Sequence, residues 1–269
     1  MRKIFKFAMC AVVLMLSADV VLAQTADKNI LLNVFCREKD NGNGALPEAF
    51  LKCRVETLKE GTALAYEIFR SCLDPQQYVF YEIWCNEAGH ASHSATEHLK
   101  TLMVERSEAI DPEYKGFVQR AYLDSEPTGE RLLMNIIRKV KPEHIETLRN
   151  SFLKSREASL KEEGCEAFEI YQSVLDPTIF LIYELWTTDE AHTIHSTLPH
   201  SKVHSEECKG INEPSFKTQY TRFSSSNKSY YYEKEYPTFY LCRCLFRLCG
   251  CSSGAEQREL SAHQRNAQG

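Results

Sequence analysis

The sequence lacks the features that mark nucleic-acid-binding and membrane-spanning proteins. Its 32 basic residues are outnumbered by 37 acidic ones, which gives a net charge of −5, and no basic stripe runs along the chain. A nucleic-acid partner is therefore not expected. The longest apolar run near the start, Phe7 to Leu16, is far shorter than the ~20 residues that a transmembrane helix needs. We expect no stable membrane span in the mature chain.

That apolar run has the pattern of a secretory signal. A basic segment (2–6) precedes it, and Val21 and Ala23 supply the small residues that a signal peptidase requires before Gln24. An uncleaved anchor is the alternative. We expect residues 1–23 to be a signal peptide, and the mature protein to be secreted or held in the lumen of the secretory pathway.

Ten cysteines follow the expected signal peptide. Some should form disulfides in an oxidising compartment, but the spacing does not give the pairing. Buried free thiols are the equal alternative for the cysteines within apolar runs: Cys36, Cys53, Cys72, Cys85 and Cys165. Near the C-terminus the pattern is CxC…CxC (Cys242, Cys244, Cys249, Cys251), which is a weak metal signal because zinc sites more often use C-x₂₋₄-C pairs.

One stretch of sequence occurs twice, 102 residues apart. Residues 66–100 align with 168–202 without a gap, and 14 of the 35 pairs are identical, including "LDP", "YExW" and three histidines. "ILLNVF" from Ile30 also matches "LLMNII" from Leu132, which places Asn33 over Asn135. The chain is therefore a tandem duplication. We define a first repeat (28–123), a second repeat (130–223) and a Tyr- and Cys-rich tail (224–269), which we expect to be disordered.

The second repeat shows the order of elements more clearly. "LLMNIIRKV", "AFEIYQSV", "FLIYELW" and "FKTQYTRF" read as strands. A helix is predicted from Glu143 to Glu162 after Pro142, and a second helix follows "TTDEA", in which Thr187 and Glu190 would form a capping box. The order is βαββαβ, the ferredoxin-like split.

The strands in both repeats barely alternate between apolar and polar residues, as "FLIYELW" and "YVFYEIW" show. Strands of this kind need cover on both faces. Two helices can cover only one face of a four-stranded sheet, so the sheet of the other repeat must cover the second. The predicted fold is α+β: two ferredoxin-like units that pack sheet to sheet as an intramolecular α+β barrel. The chain would thus form its own pseudo-dimer, and further homo-oligomerisation stays open.

Residues 162–202 carry a specific family resemblance. "EEGC", the "DP" turn, "YELW", "DEA" and "H" followed by "TLPHSK" resemble the antibiotic biosynthesis monooxygenase (ABM) family of the dimeric α+β barrel superfamily. The second repeat matches over nearly all of its length, and the first matches more weakly. The resemblance implies ferredoxin-like units with small-molecule sites between sheet and helices.

The resemblance also implies a set of functions. Many family members oxidise quinols or polyketide-like phenols with O2 and without metal or flavin. Others isomerise small metabolites, degrade haem or have no known activity. We therefore expect a cofactor-independent monooxygenase acting on a small phenolic or quinol-type substrate. The alternatives are a non-catalytic barrel that binds a small ligand or a protein, and a small-metabolite isomerase.

The candidate catalytic residues are His195 and Asn135. Ala191, Ile194, His195 and Leu198 share one face of the predicted helix, so His195 should point toward the sheet. There it could remove a proton from a phenol or enol while Asn135 orients the substrate oxygen. The alternative is a structural role, in which His195 is a hydrogen-bonded core residue and Asn135 ties strands together.

The candidate substrate-binding residues surround this pair. Trp186 would form an aromatic wall and Glu184 lies on the same side of its strand. Their alternatives are an ordinary core tryptophan and a structural carboxylate. The counterparts in the first repeat complete the set: His93, Asn33 and Trp84. Gly89, Ser92 and Thr96 replace the apolar residues of the second repeat, so the second repeat should hold the working site.

No metal and no cofactor are expected. His192 is expected in solvent, and His200, which follows Pro199, is expected to cap a helix end. These two residues and His195 do not share one helix face, and no acidic residue is placed to complete a ligand set. The haem-degrading branch of the family has a tryptophan where this sequence has His93 and His195, so haem is not expected either.

Overall fold

The computed structural model describes residues 28–123 and 131–225. The expected signal peptide, the tail cysteines and the tail beyond residue 225 lie outside these ranges. The first repeat consists of β1 (Ile30–Arg37), α1 (Ala45–Thr57), β2 (Ala63–Ser71), β3 (Gln77–Trp84), α2 (Glu87–His93), α3 (Glu97–Ala109) and β4 (Val118–Tyr122). The second consists of β5 (Arg131–Lys139), a 3₁₀ turn (Pro142–His144), α4 (Ile145–Ser159), β6 (Cys165–Ser173), β7 (Ile179–Trp186), α5 (Asp189–Thr197), α6 (Pro199–Glu207) and β8 (Gln219–Ser225).

The second helical segment of each repeat is broken into two helices, where the sequence predicted one. In the second repeat the break falls at Leu198, whose backbone is extended because Pro199 follows it. The helix begins after Thr188, whose side chain accepts from Ala191 N, so the predicted capping role of Thr187 is wrong. Ile194 is also exposed, although the sequence placed it on the face toward the sheet.

The eight strands form one antiparallel sheet in the order β4-β1-β3-β2-β6-β7-β5-β8. The two repeats are joined within the sheet, because β2 pairs with β6 from Phe69 opposite Ser173 to Ser71 opposite Tyr171. The outer strands β4 and β8 approach each other on the other side. The sheet is therefore a nearly closed barrel, and the prediction of two ferredoxin-like units forming an α+β barrel is confirmed.

Three hydrophobic clusters account for the described core. The helix–sheet layer of the first repeat contains Phe50 and Trp84, and that of the second contains Phe152 and Trp186. The barrel interior is built from both repeats, including these buried side chains: Leu31, Phe35, Phe69, Val79, Tyr81, Leu133, Ile137, Tyr171, Leu181, Tyr183, Leu185 and Phe223. Burial of each large apolar side chain contributes about 1.5–3 kcal/mol. The interface between the repeats is thus a core of its own, as the strand pattern required.

Six cysteines lie in the described ranges, and all six are free thiols: Cys36, Cys53, Cys72, Cys85, Cys165 and Cys208. In these same ranges, no helix combines the length and the apolar character that a membrane crossing requires.

Candidate functional site

A carboxylate and two imidazoles meet between the helices and the sheet of the second repeat. Glu162 Oε1 lies 2.8 Å from His195 Nδ1 and 2.7 Å from His200 Nε2. The three ligand-type atoms are all within 4.8 Å of one another. We call this group the second triad.

Local structure explains how the second triad forms. Glu162 lies in the turn that follows α4, where Gly164 has a φ of +87° and reverses the chain into β6. His195 is in the last turn of α5 and His200 in the first turn of α6. The break at Leu198 turns the two helices so that both histidines reach one carboxylate. His200 is therefore a partner of Glu162 and not the helix-end cap that the sequence indicated.

His195 is only 7% exposed, and protein atoms contact both of its ring nitrogens. Nδ1 faces Glu162, and Ser201 Oγ lies beside the ring, 2.9 Å from Nε2 and 3.3 Å from Nδ1. Its ring lies 4.7 Å from the Trp186 ring and 5.2 Å from the Phe168 ring, centroid to centroid. His195 does face the sheet, as predicted, but it packs there against aromatic rings.

Trp186 is fully buried, and its Nε1 donates to Glu184 Oε2 at 3.0 Å. Burial of Glu184 raises its pKa to about 7, and the Trp186 hydrogen bond offsets only part of that effect. His192 Nε2 lies 3.8 Å from Glu184 Oε2, and burial lowers the pKa of His192. The prediction that His192 lies in solvent is therefore wrong, because its ring packs edge-on against Trp186.

The first repeat contains an equivalent group, the first triad. Glu60 Oε1 lies 2.7 Å from both His93 Nδ1 and His98 Nε2. His93 Nε2 is buried and has no hydrogen-bond partner among the described residues. Trp84 Nε1 donates to Glu82 at 3.0 Å, as Trp186 does to Glu184. Both repeats therefore keep the same polar framework, and the first is less degraded than its sequence indicated.

A cleft of about 140 Å³ lies beside the first triad, between α1 and α3. It is lined by Ala49, Lys52, Cys53, His98, Thr101, Leu102 and Glu105. The sequence assigned the working site to the second repeat, and this cleft opens on the first.

Asn33 and Asn135 lie in the barrel interior. Asn135 Nδ2 donates to Asn33 Oδ1 at 3.2 Å, and both residues are fully buried. Asn135 faces the same side of β5 as Leu133, which belongs to the interior cluster, whereas Trp186 and His195 pack in the helix–sheet layer. The structure therefore does not bring Asn135 and His195 into one pocket: they lie on opposite faces of the sheet.

Glu60 and Glu162 were missed in the sequence. The statement that no acidic residue completes the histidine set is wrong, because Glu162 contacts both His195 and His200. The signal was available: "LKE" occurs at residues 58–60 and again at 160–162, at the same offset of 102. It lies six residues before the aligned stretch, across a turn whose conformation the sequence does not reveal.

Comparison with known proteins agrees with this architecture. The family described as antibiotic biosynthesis monooxygenase (ABM) matches residues 39–104 and 132–207, which together make up more than half of the chain. No curated protein matches significantly.

Three solved structures illustrate the likeness. A candidate monooxygenase from Lactobacillus acidophilus is 17% identical, with 72% of this chain and 92% of that chain covered and a TM-score of 0.35. A candidate antibiotic biosynthesis monooxygenase from Nitrosomonas europaea is 20% identical, covering 39% and 99%, with a TM-score of 0.36. A conserved protein from Methanosarcina mazei is 23% identical, covering 36% and 93%, with a TM-score of 0.33. At these values the structural likenesses add nothing to the family match. On the two matched regions, the chain belongs to the ABM family and carries two copies of its domain.

Proposed function

We propose that the protein is a cofactor-independent monooxygenase that oxidises a small phenolic or quinol-type molecule with O2. Family membership supports the reaction class. The observation that carries the assignment to a site is the Glu162–His195 contact of 2.8 Å, which holds a buried imidazole in one orientation beside an aromatic wall.

In this proposal His195 is the general base. When Nδ1–H donates to Glu162, the other ring nitrogen, Nε2, has a free lone pair and can accept the substrate's hydroxyl proton. Ser201 Oγ lies 2.9 Å from Nε2 and 3.3 Å from Nδ1, beside the ring and not along this lone pair. Trp186 packs behind the His195 ring, and Glu184 holds Trp186 in position.

The redox balance needs no external reductant. Loss of the proton gives an electron-rich phenolate, which transfers electrons to O2. For a phenol with a free para carbon, one oxygen atom is retained at that carbon and the other leaves as water. The product is a quinone, and the substrate supplies all four electrons.

The test is O2 uptake by the chelator-treated full chain with a panel of phenols and hydroquinones. We expect His195→Gln to lower the rate about 10²–10⁴-fold, the usual contribution of a general base. The matched control is His93→Gln in the first repeat, which should retain most of the rate. Incorporation of ¹⁸O from ¹⁸O2 into the quinone distinguishes oxygen insertion from simple dehydrogenation. Equal rates for wild type and His195→Gln would remove His195 from the mechanism.

The second candidate function is a non-catalytic barrel that binds a small ligand or a protein. The contacts of both His195 ring nitrogens with protein atoms favour it, because such an imidazole already has its partners. Absence of O2 uptake across the whole panel would support this candidate over the monooxygenase.

A further inference from the structure

We propose that Glu162, His195 and His200 form a binding site for a divalent transition-metal ion, with Zn²⁺ as the probe. The inference stands on the geometry of the second triad and does not depend on the proposed oxidation. Two imidazole nitrogens and one carboxylate oxygen are a donor set that Zn²⁺, Co²⁺ and Fe²⁺ accept in proteins. Three protein ligands also leave a coordination position for water or another small ligand.

The three donor atoms are already gathered. The two contacts of Glu162 Oε1, 2.8 Å to His195 Nδ1 and 2.7 Å to His200 Nε2, are slightly shorter than the spacing around a metal. With bonds of about 2.1 Å, ligand atoms in a tetrahedral arrangement are about 3.4 Å apart. The carboxylate therefore has to withdraw by less than about 1 Å to admit the ion, while the two imidazole nitrogens, which lie within 4.8 Å of each other, have to reach the same spacing.

The repeat supplies a second observation. Of the aligned pairs in residues 66–100 and 168–202, 21 of 35 differ, yet both histidines of the triad are retained, and so is the glutamate before the stretch. Their geometry is also retained, since Glu60 makes the equivalent contacts of 2.7 Å to His93 and His98. The neighbours of the triad changed, as at Ser92 and Ile194, while the three donors did not.

The two triads differ in what lies behind the buried histidine. A histidine that ligates through Nδ1 carries its proton on Nε2, and that N–H needs an acceptor. In the second repeat a hydroxyl, Ser201 Oγ, lies 2.9 Å from His195 Nε2 and 3.3 Å from Nδ1, so a polar group that can accept stands beside this nitrogen, off the axis of its N–H bond. In the first repeat Leu99 stands at the equivalent position, and His93 Nε2 is buried without a hydrogen-bond partner among the described residues. The second triad should therefore bind the ion more tightly than the first.

Metal binding would also act on His195 chemically. An ion on Nδ1 fixes the proton on Nε2, so the imidazole can no longer accept one. Zn²⁺ should thus inhibit any activity that uses His195 as a base.

The experiment is Zn²⁺ titration of the chelator-treated full chain by calorimetry, together with Co²⁺ absorption spectra. We expect one tight equivalent and Co²⁺ visible bands without the thiolate charge-transfer band that a cysteine site gives. Glu162→Gln and His200→Gln should weaken this equivalent at least about 100-fold, because each removes a direct ligand. Glu60→Gln is the matched control and should leave it unchanged.

Two further variants test the acceptor. Ser201→Ala should weaken Zn²⁺ binding about 10-fold, and Leu99→Ser should strengthen binding at the first triad by a similar factor. Equal Zn²⁺ affinity for wild type, Glu162→Gln and His200→Gln would overturn the proposal, as would a Co²⁺ spectrum dominated by thiolate. Because these readouts need no substrate, they stand even if no oxidation is found.

Discussion

In the first repeat, Gly89 of α2 lies against Thr62; in the second repeat, Ala191 of α5 lies against Gly164. A Cβ added to Gly89 would lie 2.8 Å from Thr62 Cβ, and one added to Gly164 would lie 2.7 Å from Ala191 Cβ. The glycine has changed sides of the same contact. In the sequence alone, Gly89 is the loss of an apolar helix residue. The contact shows that Thr62, which stands where the second repeat has Gly164, fills the space that the missing side chain leaves. A residue that differs between the two repeats can therefore be interpreted only together with the residue that it contacts.

The largest expected effect in a comparison of the two repeats is the loss of stability on removing either tryptophan, Trp84 or Trp186. Both are fully buried and both donate to a buried glutamate. We expect Trp84→Ala and Trp186→Ala each to lower the free energy of unfolding by about 3–5 kcal/mol, the usual cost of such a core deletion. Urea denaturation measures both. A much smaller loss for Trp186 alone would show that its surroundings are looser than those of Trp84, as an open substrate site would require.

The glycine exchange should have the next largest effects. Gly164→Ala should cost about 2–4 kcal/mol, because the added Cβ is crowded and the φ of +87° disfavours L residues. Gly89→Ala lacks the second problem and should cost about 1–3 kcal/mol. Thermal and urea unfolding of the two variants measure the difference.

A second substitution in each pair provides the control. Thr62→Gly should restore part of the stability lost in Gly89→Ala, because it removes the opposing side chain. Ala191→Gly should restore less in Gly164→Ala, because the positive-φ strain persists and the added Cβ still lies 2.6 Å from Thr187 Oγ1. Equal rescue in both repeats would contradict the role given to the positive φ.

The buried glutamates give a pH-dependent comparison with a smaller effect. Burial raises the pKa of Glu82 and Glu184 to about 7, from 4.5. Because the pKa of each carboxyl is higher in the folded than in the unfolded protein, the protonated carboxyl contributes to the free energy of unfolding. That contribution is fully present below pH 4.5 and is lost as the pH rises through 7. Glu82→Gln and Glu184→Gln keep an acceptor for the tryptophan and remove the ionisation.

Each variant should therefore be more stable than wild type at pH 8.5, by on the order of 2 kcal/mol, and nearly equal to it at pH 4.5. Urea denaturation at the two pH values gives the difference, in which the other titrating groups cancel. A stabilisation independent of pH would show that both carboxylates stay charged in the folded protein.

The barrel could be predicted because it depends on composition along each strand. "ILLNVF" and "FLIYELW" are apolar on both faces, and only the other repeat could cover the second face. The join between β2 and β6 could not be predicted, because backbone pairing leaves no pattern in so short a segment. The two triads could not be predicted for a related reason. Glu162 contacts His195 only because a turn and a helix break bring the two residues together. The Asn33–Asn135 contact depends likewise on how the two halves face each other.

At the centre of the barrel, the two asparagines have different companions. Asn33 Nδ2 donates to Gln119 Oε1, while the residue equivalent to Gln119, Thr221, donates its hydroxyl to the Asn135 carbonyl. In an assembly of two identical chains, any mutation at a symmetry axis appears on both sides at once. Joining the copies in one polypeptide frees each side to change alone. The central amide pair can therefore become directional, with a donor from one half and an acceptor from the other.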